Sequence, residues 1–208
     1  MGDSGNMKYV LDEVGDPFRN NTSQPMVWGE NLQNHMIEEL GPTTNATIRN
    51  FRFQDDQHLR QLGALDFPTK RLADDLLTTF LKYSYPVFPL FDRTEFVASH
   101  EAGRLSPLVQ NAVYLVAAIH CPQSMLEELG YESRYLACLT FYQRAKALYD
   151  ADHDTDGIST VQATILLGNW WGGPMEQKDT WHWLGLAAGL AQALGMHRRY
   201  LFLCHICA

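Results

Sequence analysis

One stretch, Ile158 to His197, constrains the fold of this chain more than any other: ISTVQATILLGNWWGGPMEQKDTWHWLGLAAGLAQALGMH. Its punctuation predicts two helices folded back on each other. Ser159-Thr160-Val161-Gln162 is a capping-box pattern at the head of an apolar run. Gly172-Gly173-Pro174 stops that run, because two glycines and a proline cannot continue a helix. Glu176 and Asp179 fall in the first turn of the second helix, where the dipole favours negative charge. Gly195 follows Leu194 as a C′ residue would, with His197, Arg198 and Arg199 beyond it.

The first helix of the pair is apolar almost all round, through Val161, Ala163, Ile165, Leu166, Leu167, Trp170 and Trp171, and such a helix is normally buried. Only Gln162 and Asn169, on one face, break it. In the second helix Trp183, Leu186, Ala187, Leu190 and Leu194 make one apolar stripe at helical spacing. A neighbouring row of Lys178, His182, Gly185, Gly189 and Gln192 is polar and small. Four of the five tryptophans lie in this stretch. A buried indole removes roughly 150–250 Å² from water, so the hairpin reads as core. Gln162, Asn169, Trp171 and His182 are the polar or aromatic groups of the hairpin that could touch a ligand or partner.

The rest of the chain sets the class. With 208 residues, 46% of them hydrophobic, one domain with a real core is expected. The formal net charge of −8 argues against direct grip on nucleic acid, which needs clustered Lys and Arg, and the longest basic run is the pair Arg198-Arg199. The opening MGDSGNMKYVLDEVGD is polar and acidic, unlike a secretory signal. No stretch approaches the ~20 apolar residues of a membrane span. Cys121, Cys138, Cys204 and Cys207 are expected as reduced thiols.

Residues 1–68 mix Asn, Thr, Gly, Pro and acidic residues and are expected to form a poorly ordered acidic arm, with a helix near Asn31 to Leu40. From Thr69 the pattern turns helical. Leu72, Leu76, Leu77, Phe80 and Leu81 form a stripe that ends before Tyr85-Pro86. Tyr85 to Phe91 carries two prolines and is expected to be an extended aromatic connector. Thr94 to Ala102 forms a short helix closed by Gly103. Ser106-Pro107 is an N-cap with an N1 proline, opening a helix that places Leu108, Ala112, Leu115 and Ile119 on one face. Ser124 to Leu129 is a turn closed by Gly130, and Tyr131 to Tyr149 a long helix with Tyr135, Leu139, Tyr142 and Ala145 on one side. No segment alternates long enough to be a strand. The expected fold is all-α.

Three short motifs carry chemistry in other settings. Asp152-His-Asp-Thr-Asp-Gly157 matches the first half of a calcium-binding EF-hand loop, but the twelfth position, which needs a bidentate Glu, is Ala163. A solvated acidic turn is therefore expected. Cys204-His205-Ile206-Cys207 has metal-ligand spacing, yet zinc needs four ligands, and Cys121 and Cys138 would have to fold close to complete them. His120-Cys121 are adjacent on a helix end and point apart. The nucleophile, metalloprotease and phosphate-binding signatures are missing, so no enzyme is expected.

Thr69 to Arg199 resembles the fungal-specific transcription factor domain, the middle homology region of regulators that carry a binuclear zinc cluster. Four landmarks stand in the family's order: Leu76–Phe96, Leu105–Ala118, Phe141–Asp150 and Thr160–Arg198. The last, with Trp-Trp-Gly-Gly-Pro and Asp-Thr-Trp-His-Trp-Leu-Gly, looks most like the cutinase-factor branch. The resemblance implies an all-helical, nuclear regulatory domain at 69–199 that governs transcription by RNA polymerase II, in that branch of genes for cutin breakdown and fatty-acid use. It implies action through the transcription machinery, a homodimer partner or a small lipid-like inducer, with DNA and zinc bound only by the family's six-cysteine cluster. This chain has no cysteine before Cys121, so none of those zinc ligands carries over and no cofactor is expected in it. The family continues in helix where this chain runs into Tyr-Leu-Phe-Leu-Cys-His-Ile-Cys-Ala. The domain is accordingly expected to be incomplete at its C-terminus, with 200–208 an atypical tail. The competing expectation is a stand-alone helical module that uses the Trp-rich hairpin as a small-molecule pocket, and a third is a non-functional fragment.

Overall fold

The computed structural model describes residues 55–173 and 177–197, and all regular structure among them is α-helical, as the sequence pattern predicts. The helices are α1 (55–61), α2 (Lys70–Tyr83), α3 (Arg93–Glu101), α4 (Pro107–His120), α5 (Gln123–Glu128), α6 (Arg134–Asp150), α7 (Gly157–Leu167) and α8 (Thr180–Ala193). None of them is long and apolar enough to cross a membrane. The helix expected near Asn31 to Leu40, and the tail at 200–208, lie outside the described residues.

The centre of the bundle is α4, against which α2, α6 and α7 all pack. The sequence marks one apolar face on α4, but the structure buries it nearly all round, from Leu108 through Ala118 with only Gln110 half-buried among them. Ala112, Ala117 and Ala118 on α4, with Ala137 and Ala145 on α6, are fully buried small residues that let the backbones approach closely. The hairpin that dominates the sequence is one wall of this core rather than its middle.

A helix buried on every side must have its polar ends provided for. Ser106 accepts the Val109 N–H at the N-terminus, with Pro107 at the first position, as the sequence predicts. At the other end Arg134 of α6 donates to the carbonyls of Ile119 and Cys121, placing a cation where the dipole is negative. Mid-helix, the buried Asn111 amide donates to Ala64 O (3.0 Å) and Pro107 O (2.9 Å). Arg144 holds the same loop by donating to Leu62 O and Asp66 O, both at 3.2 Å. The packed domain therefore begins by residue 55, because Leu59 and Ala64 are in its core, rather than at the composition break near residue 68.

The glycine punctuation is faithful. Gly103, Gly130 and Gly195 adopt φ of +64°, +86° and +72°, and each closes its helix in the same way. In each case the glycine N–H and that of the next residue bond back to carbonyls of the last turn, the Schellman arrangement. The Tyr85–Phe91 connector is less extended than its prolines suggest. It begins as a turn, with Val87 and Phe88 donating to Ser84 O, and Tyr85 Oη donates to Phe91 O at 3.0 Å. Phe91 then stacks on Phe96 at 4.2 Å, and both rings meet Phe80 edge-on.

On α6 the buried set is Ala137, Cys138, Phe141, Tyr142, Ala145, Ala147 and Leu148, whereas Tyr135 from the predicted stripe is exposed. The α7 helix is as buried as its composition requires. On α8 only Trp183 and Ala187 are buried; Leu186 and Leu190 are half-buried and Leu194 is exposed. Trp183 meets Tyr142 and Tyr149 edge-on at 6.1 and 5.7 Å, and Trp170 stacks on Tyr142 at 5.0 Å. Replacing Trp183, which is fully buried, by Ala is expected to cost about 3–5 kcal/mol in urea unfolding. Its indole N–H has no acceptor among the described residues, so Trp183→Phe should cost distinctly less. Equal losses for the two variants would show that packing is not what the ring contributes.

Candidate functional site

The hairpin of α7 and α8 holds the groups that could meet a ligand or partner. Its first helix is capped earlier than the sequence suggests. Asp156, not Ser159, is the N-cap, accepting from Ile158 N (3.3 Å), Ser159 N (2.9 Å) and Ser159 Oγ (2.6 Å). The second helix likewise begins after Asp179, whose carboxylate accepts the His182 N–H at 2.9 Å as an N-cap rather than a first-turn charge. Glu176 lies outside the described residues. Thr180 Oγ1 donates to Gly168 O at 2.8 Å and so ties the start of α8 to the end of α7. Lys178 sits over the Trp183 ring at 5.7 Å with its ammonium 3.7 Å from Asp150 of α6.

The four hairpin residues singled out from sequence do different things. Gln162 is half-buried and donates to Leu90 O at 2.7 Å, fastening the aromatic connector to α7. Asn169, half-buried, donates to Leu166 O at 3.0 Å and closes the last turn of α7. Trp171 is 71% exposed. His182 is exposed with its ring edge-on to Trp183 at 5.3 Å. The small cleft of about 120 Å³ between α1 and α6 is lined by Asp55, His58, Gln143, Lys146 and Asp150 among others, and by none of these four. Sequence reasoning did not single out Trp181 and Leu184, which are 83% and 42% exposed on α8. The signal was present, since both fall outside the predicted apolar stripe.

The acidic loop is consumed by helix geometry. Asp152 takes φ +47° as the C′ residue of α6, with its N–H on Tyr149 O and that of His153 on Leu148 O. Asp156 caps α7. Partial burial pushes the Asp156 carboxyl up, but the hydrogen bonds from Ser159 and Ile158 outweigh it and hold the group below the usual aspartate range. Among the described residues no set of three or more His, Cys, Asp or Glu is placed to hold a metal. Cys121 and Cys138 are buried thiols, and burial pushes Cys138 up to about 11. Cys204 and Cys207 lie outside the described residues.

Residues 77–203 match the fungal specific transcription factor domain. The chain is 36% identical over 150 residues to cutinase transcription factor 1 beta of Fusarium vanettenii, covering 70% of this chain and 17% of that protein. It is 35% identical over 143 residues to cutinase transcription factor 1 alpha of the same fungus, covering 67% and 16%. A fusaric acid cluster transcription factor of Fusarium oxysporum is 24% identical over 147 residues, covering 71% and 22%. The chain thus spans about a sixth to a fifth of the length of these relatives. No solved structure matches it.

Two loop variants test this account. Asp152→Gly relieves a left-handed conformation and is expected to stabilise the fold by about 0.5–1 kcal/mol, where a calcium ligand would show no such gain. Asp156→Ala is expected to cost about 0.5–2 kcal/mol at neutral pH. A carboxyl held low when folded contributes stability above its unfolded value and loses it as pH falls through the folded one. The gap between wild type and Asp156→Ala should therefore be full above about pH 4 and narrow below it. A constant gap would remove the charge from the cap's role.

Proposed function

The chain belongs to the fungal specific transcription factor domain family, and from that footing we propose that it is the regulatory domain of a nuclear zinc-cluster transcription factor. The observation that carries the reading is the extent of the match: residues 77–203 take in all of α3 to α8 and the C-terminal half of α2. The family is a class of transcription factors, not of enzymes. On this reading the chain acts through protein contacts or a small inducer and catalyses nothing. DNA and zinc belong to the family's cysteine cluster, since a domain of net charge −8 is poorly suited to phosphate.

The target genes form the finer part of the proposal. Two relatives named for cutinase stand at 35–36% identity, and the one named for the fusaric acid cluster at 24%. That difference favours genes of cutin breakdown and fatty-acid use. A lipid-like inducer fits the same reading, and the hairpin tryptophans Trp171 and Trp181 would report it by fluorescence.

In the source fungus, an allele carrying Trp183→Ala is expected to change cutin-induced cutinase transcript several-fold. Unchanged transcript at normal protein level would overturn the cutin assignment. The chain alone is expected to give no sequence-specific, salt-sensitive shift of promoter DNA, and such a shift would overturn the division of labour proposed here.

A further inference from the structure

We draw no further inference here: the strongest candidate, the surface patch at the C-terminal ends of α2 and α4 where Lys82 lies over the exposed Tyr83 ring and that ring stacks on His120 at 5.5 Å, carries nothing, because nothing in the structure shows what covers it.

Discussion

The structure depends on one helix that water scarcely reaches. Burying α4 from Leu108 to Ala118 brings a large gain in apolar contact, but only if its backbone ends and its one buried amide find partners. Those partners come from distant parts of the chain: Arg134 from α6 at one end, and Ala64, which accepts from Asn111. The polar requirements of one helix thereby place α1, α6 and the loop between α1 and α2. Arg144 reinforces the placement from the same α6. Apolar packing supplies the drive, and these few directional bonds select the arrangement.

The α7–α8 hairpin then closes the bundle and divides its tryptophans between two tasks. The buried Trp170 and Trp183 join Tyr142 and the half-buried Tyr149 in an aromatic cluster, while Trp171 and Trp181 stand in solvent. The distinction is purely angular: Trp181 and Trp183 are two residues apart on one helix and point well away from each other. A single helix in this way presents one face to its own core and another to solvent.

The acidic loop shows how a motif can be matched and yet carry other chemistry. Asp152 ends one helix and Asp156 begins the next, so the carboxylates are spaced by the needs of two helix termini. Gly157 serves a further purpose, as a Cβ there would come within 2.9 Å of the Leu194 side chain. Asp-rich, Gly-ended turns satisfy helix ends as readily as cations, because both tasks call for oxygen acceptors on a tight backbone.

Local chemistry alone determined much of this protein. The helical class, the glycines that end α3, α5 and α8, the Ser106-Pro107 start of α4 and the family landmarks were all legible in sequence. Each depends on residues within a few positions of one another, through φ preference, capping or spacing. Tertiary structure decided what those rules cannot reach. It made α4 the centre rather than the hairpin, drew Leu59 and Ala64 into the core, and set Gln162 as a brace of the aromatic connector. It also decided how much of the predicted α8 stripe is covered, burying Trp183 and Ala187 and leaving Leu194 exposed. The whole stripe satisfies helical periodicity; Tyr142 and Tyr149 across the bundle meet only its Trp183 end. Burial is a property of what lies opposite a residue, and that neighbour is usually far away in the chain.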